Sequence, residues 1–484
     1  MAASLTGFGI VVVPMAIGIS LFRRPWLLPA LVIASTLQAF SILNIDFGEG
    51  NSRHGVTAFS LLAVVIALSL IGRARRLATG RDWLCGSAGW NLKLWIAYAA
   101  IAVAGTGLLP HIFSSVPVYL LIGKASFEAG VTPLQWSLSN MAEAANLILL
   151  IGVLVYIRLH SGDRLLVKRM IAGLIIALLL SALIGFLQRI VWHEDLNTIG
   201  NLFASNSPNV QRLISYAGPV ARVGWPFTEP FYGSAWYAAM FGGGLAVFFV
   251  GKRTHLALLG MLVAGFALLN SLGATGIVAI GASCLLGVLL SVFVFVKQPQ
   301  LRWALGYQFA LAGLVAVCCI LAVYIVLRHN GVLPNAEVAV VNLLAGNNPT
   351  LWGDIQPQTN LHALTLLRDS FGLGIGLGSN RASSYFASLF SNTGVLGGVM
   401  FLAALFNLVF ALVKTQTLSK TNDTALFLLG ALITATISVA IAIPDQNWPG
   451  YWVFILTSYA WISQALPAVP PFFPKRSTIA ESEI

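Results

Sequence analysis

Residues able to do chemistry are concentrated in two stretches. Between Gln358 and Gly398 an otherwise apolar chain turns polar, basic and glycine-rich: QTNLHALTLLRDSFGLGIGLGSNRASSYFASLFSNTGVLGG. His362, Arg368 and Asp369 come first, then Gly372, Gly374, Gly376 and Gly378, then Arg381. The second stretch, RVGWPFTEP at 222–230, carries Arg222 and Glu229, and Pro226 and Pro230 rule out a regular helix there. A guanidinium fork binds phosphate or carboxylate bidentately and stays charged when partly desolvated. A glycine run can present backbone amides to an anion, because no Cβ stands in the way. The same run is also a packed lead-in to the next span, Arg222 with Glu229 a loop-ordering salt bridge, and His362 a surface histidine; the residues alone leave these readings open. The run is no nucleotide loop, since it lacks a Lys-Ser/Thr ending and a βαβ context. Cys85, Cys284, Cys318 and Cys319 lack zinc spacing, and no catalytic metal or cofactor is expected. No Gly-x-Ser-x-Gly nucleophile motif occurs.

These residues must be held by membrane helices. Only 9% of the 484 residues are charged and 58% are hydrophobic, with a mean hydropathy of +0.85; soluble domains carry roughly 25% charge. The expected fold is an all-α polytopic membrane protein forming a single membrane domain over 1–484. Spans are predicted near 5–21, 26–44, 56–72, 92–109, 137–158, 170–190, 232–250, 255–271, 275–296, 303–327, 391–413, 424–443 and 451–466. Thirteen spans with Arg23 and Arg24 inside put the N-terminus outside. They also put Arg73, Arg158, Arg164, Lys168, Arg169, Arg253, Lys414 and Lys475 on the cytoplasmic side. The net charge of +11 is therefore a topology signal that needs no nucleic acid. Reporter fusions at Lys420 and Gly353 should report opposite sides; a cytoplasmic signal from both would remove the outer site.

The basic residues left outside are Arg53, Lys124, Arg189, Arg212, Arg222, Arg328, Arg368 and Arg381, nearly all arginine. Topology works equally well with lysine, so the bias points to an anionic ligand on the outer face. Two outer loops are long, 191–231 and 328–390, and the tail 467–484 is cytoplasmic. Residues 359–371 are predicted to form a short amphipathic helix after an irregular start. Leu361, Leu364, Leu367 and Phe371 lie on one side, with Arg368 half-buried at its edge. Glu143 is the main acidic residue inside a span, and the other charges cluster on one face, which favours a one-sided enzyme over a transporter.

The topology, RVGWPFTEP, and the segments GLGIGLGSNR and SSYFASLFSNTGVLGG resemble the O-antigen polymerase/ligase family of bacterial envelope polysaccharide enzymes. The resemblance covers the whole topology and implies a GT-C-like membrane glycosyltransferase in the bacterial inner membrane, with a large extracytoplasmic loop before the last three spans. It implies periplasmic-face polymerisation of undecaprenyl-pyrophosphate-linked oligosaccharide repeats into an exopolysaccharide or O-antigen-type glycan, without metal. The implied partners are that lipid-linked glycan and membrane lipid, with a chain-length regulator left open. On this reading Arg222, Arg368 and Arg381, with Arg212 as a weaker fourth, bind pyrophosphate. Gly374, Gly376 and Gly378 cradle the anion, and Glu229 or His362 is the base. Ligases resemble a His-Asn-x-aromatic-Leu pattern, whose histidine place here is Ser383 with Ser384 following. That departure favours a polymerase; a ligase of the same family, or a lipid-linked glycan transporter, are the alternatives.

Overall fold

The computed structural model describes residues 2–46, 53–71, 84–119, 131–190, 206, 215–217, 220–250, 253–271, 275–284, 351–418 and 422–466. Arg212, Arg328, the span near 303–327, most of the loop 191–231 and the tail from 467 lie outside these residues.

Long apolar runs become helices because lipid offers an exposed backbone no hydrogen-bond partner. The chain begins with β1 (Ala2–Leu5), α1 (Gly7–Phe22), α2 (Leu27–Ala34), β2 (Ser41–Asp46), β3 (Arg53–Thr57) and α3 (Ala58–Ile71). Then come α4 (Gly86–Ile112), β4 (Pro117–Val118), β5 (Thr132–Pro133), α5 (Leu138–Leu159) and α6 (Leu166–Ile190). They are followed by β6 (Ser215–Ala217), β7 (Val220–Arg222), α7 (Pro230–Val250) and α8 (Thr254–Ser271), and by α9 (Thr275–Cys284). The last elements are α10 (Leu351–Asp369), α11 (Tyr385–Leu418), α12 (Asp423–Ala442) and α13 (Pro449–Ala465). Among the described residues six helices, α4, α5, α6, α8, α11 and α12, are long and apolar enough to cross a membrane.

The expected span at 26–44 is corrected. Its helix stops at Ala34, where the hydroxyls of Ser35 and Thr36 donate to the carbonyls of Val32 and Ile33. The chain then enters β2, the middle strand of an antiparallel sheet ordered β1-β2-β3. Hydroxyls that bond backward to helix carbonyls compete with the next turn, and the pairing partners on both sides complete the switch.

α13 is buried on nearly all sides, from Gly450 to Ser463 with Trp461 alone partly open. A helix apolar all round belongs at the centre of a bundle. Around it Trp95 of α4 meets Phe401 of α11 edge-on at 5.2 Å, and Trp452 at the same separation. α7 lies closely along α12 because Gly430 faces Gly242, where an added Cβ would sit 2.5 Å from the Gly242 carbonyl oxygen. Small residues are what let helix backbones approach in lipid.

Bonds between helix ends sort the bundle into two ends. At one, Arg158 donates to the Cys85 carbonyl at 3.0 Å, Tyr459 to that of Ala88 at 3.3 Å, and the Arg253 amide to Asp423 at 3.2 Å. The other end holds the polar segment 370–384.

Candidate functional site

The frame of this end is a break in α11. Gly394 adopts φ 71 and ψ −179, so the helix is interrupted nine residues after Tyr385. The glycine run fills the break. The amide of Val395 donates to the Gly372 carbonyl at 2.8 Å, that of Ile375 to Ser391 at 3.0 Å, and that of Gly376 to Asn392 at 2.8 Å. Leu377 donates to the Thr106 hydroxyl of α4 at 2.9 Å. Asn140 of α5 donates to the Leu377 carbonyl at 2.5 Å and to the Ser379 hydroxyl at 2.8 Å. Asn380 and Asn392 exchange bonds at 3.0 and 2.9 Å. Irregular backbone inside a membrane domain is tolerated only where protein satisfies it, and here protein does so for the amides from Gly372 to Leu377.

This corrects the anion cradle at Gly374 and Gly376. The Gly374 amide donates to Ser370 Oγ at 3.0 Å and the Gly376 amide to Asn392. Neither donor is left for a ligand. The glycines serve conformation and close packing instead: Gly374 has φ +80, and a Cβ on it would lie 2.7 Å from the Asn392 carbonyl oxygen. Gly374→Val should therefore lower the amount of folded protein in the membrane together with any activity. Immunoblotting of membranes checks this; normal protein levels with lost activity would restore a direct ligand role for that backbone.

Arg381 follows immediately. Its amide donates to the Tyr119 carbonyl at 3.3 Å, next to the β4–β5 pair. Its guanidinium acts electrostatically on Glu143 of α5, on Asp445 in the turn before α13, and on Tyr232 of α7. Asn447 ties the two carboxylates together. Its amide donates to Asp445 Oδ1 at 3.0 Å, and its side chain donates to Glu143 at both the backbone carbonyl, 3.0 Å, and Oε2. Burial pushes the Asp445 carboxyl above the usual carboxylate range, while Arg381 and the Asn447 amide pull it down. Between them Gln446 is 6% exposed, and neither its side-chain nitrogen nor its oxygen has a partner among the described residues. A buried amide with both groups unspent is rare and leaves hydrogen-bonding capacity for something polar. One cation, two carboxylates and an amide with no partner among the described residues thus come together from α5, the 381 segment and the turn before α13, with Tyr232 of α7 beside them.

The other expected site residues fall around this group. Glu229 precedes Pro230 at the start of α7 and acts on Tyr232. RVGWPFTEP is clamped: Gln188 of α6 accepts from the amides of Gly224 and Trp225 at 3.0 and 2.9 Å, and Val223 donates to Asn270 at 3.2 Å. The Arg222 backbone pairs with Ser215 in β6–β7. His362 uses Nε2 on the Pro117 carbonyl at 2.9 Å and meets Tyr119 edge-on at 5.0 Å, so only Nδ1 could take a proton.

Two readings of the amphipathic helix are corrected. It starts at Leu351, before Gly353 and Pro357, and its apolar stripe faces outward. Leu361, Leu364 and Phe371 are exposed, and Phe371 by 87%, while Thr359, Ala363, Leu366 and Ser370 are buried. Arg368 is not half-buried: its side chain is 78% exposed and paired with Asp369 at 3.0 Å. Asn360 on this helix accepts from the amides of Ser383 and Ser384 at 3.0 and 2.9 Å, capping α11. Sequence reasoning missed Asp445, Gln446 and Asn447. Glu143 was visible as a lone acid inside a span, a signal of function by default. Among the described residues no three His, Cys, Asp or Glu side chains gather closely enough to hold a metal ion. No family model matches the chain, and no curated protein is significantly similar to it.

Proposed function

We propose that this chain is a metal-independent membrane glycosyltransferase of the O-antigen polymerase/ligase type. It would join undecaprenyl-pyrophosphate-linked oligosaccharide repeats at the periplasmic face of the bacterial inner membrane. The observation that carries this reading is Arg381 acting on Asp445 and Glu143, with the unspent Gln446 amide beside them. In the reaction, an acceptor hydroxyl attacks the donor sugar's anomeric carbon as the bond to pyrophosphate oxygen breaks. Two demands follow: the departing pyrophosphate needs fixed positive charge, and the attacking hydroxyl must lose its proton. Arg381 meets the first. Arg222 and Arg368 are secondary candidates for the rest of the pyrophosphate, Arg368 more weakly because solvent screens it.

Asp445 meets the second demand. A carboxylate lifted by burial is a stronger base at neutral pH, and Arg381 keeps it ionised when the acceptor arrives. Asn447 orients it, and Glu143 holds Asn447 in place. This assignment puts Asp445 ahead of Glu229 and His362, because the charge of Arg381 acts on Asp445 and the Asn447 amide orients it. The finer architecture, a GT-C-like arrangement of the membrane helices with the active site outside, belongs to the same proposal. Deleting the gene tests it. Loss of polymer with single lipid-linked repeats remaining is the expected result. Normal polymer left uncoupled from its final acceptor would make the protein a ligase, and unchanged glycans would sink the proposal.

A further inference from the structure

A cavity of about 210 Å³ opens at the opposite end of the bundle, where charge patterning predicts the cytoplasm. It lies between the start of α2 and the α5–α6 turn, and Arg24, Tyr156, His160 and Asp163 line it with Leu28 and Leu166. We propose that it is a binding site for the phosphate head group of an anionic phospholipid of the inner leaflet.

The charge balance is the first reason. Asp163 is the acidic group in the lining, and it is already spent: Arg169 pairs with it at 2.7 Å and the Leu165 amide donates to it at 2.9 Å. Arg24 is not spent. Its Nε donates to the Ser20 carbonyl at 3.2 Å, which fixes the guanidinium, and its two terminal nitrogens have no partner among the described residues. Arg23, Arg164 and Lys168 stand on the same two segments. The cavity is therefore cationic after its own carboxylate is counted.

Shape is the second reason. His160 is held rigidly, with Nδ1 bonded to the Tyr156 carbonyl at 2.8 Å and its ring 4.0 Å from the Tyr156 ring. A preformed wall lowers the ordering cost of binding. The third reason is the surroundings. Leu21, Phe22, Trp26 and Leu165 are exposed beside the opening. A soluble phosphate has no use for that rim, whereas acyl chains would lie along it. Basic pockets between membrane helices on the cytoplasmic side suit anionic head groups on general grounds.

The test is native mass spectrometry of the full chain released from nanodiscs holding equal phosphatidylglycerol and phosphatidylcholine. Wild-type protein should retain phosphatidylglycerol preferentially. Arg24→Gln should weaken retention about tenfold, the effect of losing one charge-assisted contact. Arg253→Gln, at the same end but outside the cavity, should leave it unchanged. His160→Gln is the second variant if Arg24→Gln reduces protein yield. Equal retention of both lipids by the wild type, or equal loss in Arg253→Gln, would overturn the assignment. So would binding of inorganic phosphate by delipidated protein with no phosphatidylglycerol retained. The outcome is independent of the glycosyltransferase reading, which concerns the other end.

Discussion

Arg381→Ala should lower conversion of lipid-linked repeats to polymer about a hundredfold at matched membrane levels. The estimate is the loss of one charge contact that strengthens as pyrophosphate departs, on the order of 3 kcal/mol. Fold damage should be small, because the residue is anchored by its backbone to Tyr119, and alanine keeps that bond. Arg381→Lys should recover little, since an ammonium preserves the charge and loses the fork. Full recovery by lysine would reduce the role to general electrostatics. Arg368→Ala, at an exposed ion-paired position, should cost far less. Equal losses at both positions would mean that the exposed arginine is drawn into the site when substrate binds.

The second large effect is expected at Asp445. Asp445→Asn keeps the shape and removes the base, and a missing general base typically costs about 10² to 10⁴ in rate. The pH profile separates this from misfolding. Burial raises the Asp445 carboxyl, so activity should rise with pH through a limb above the usual carboxylate range. Arg381 pulls that carboxyl down. The residual activity of Arg381→Ala should therefore have its limb displaced to higher pH, and Arg381→Lys should bring it part of the way back. An unshifted limb in Arg381→Ala would remove Asp445 as the titrating base. Asn447→Ala should act indirectly, loosening both carboxylates and changing kcat more than KM; wild-type kcat there would leave Asn447 a merely structural residue.

The site was half legible in the sequence. Arg381 could be picked out because a cation between a glycine run and an apolar span is costly without a purpose. Its partners could not. Asp445 and Asn447 lie in a short turn, PDQNWPGYW, with no chemical spacing, and they meet Glu143 from some 300 residues earlier in the chain. The glycine run misled for a related reason. Glycine permits both an exposed amide and a tight packing turn, and the choice between them depends on which acceptors arrive from other helices. Here Ser370 and Asn392 took the Gly374 and Gly376 amides.

The amphipathic helix shows most plainly how the two levels divide. The spacing put Leu361 and Leu364 on one side of the helix and could not say what that side would face. A membrane domain has two apolar environments, and only the packing decides which one a stripe meets. Small and polar residues such as Ala363 and Thr359 fit against the bundle, and the leucines turned outward. Sequence alone determined the membrane class and most helix positions, because hydrogen-bond satisfaction in lipid depends on local composition. It also singled out Arg381 as a charge placed next to an apolar span, because an unsolvated charge is expensive wherever the chain puts it. The break at Gly394, the loss of the span expected at 26–44 and the placing of Asp445 and Glu143 within the electrostatic reach of Arg381 were decided by tertiary structure. Each depends on which distant groups satisfy a backbone or balance a charge, and that information is not held in any one segment.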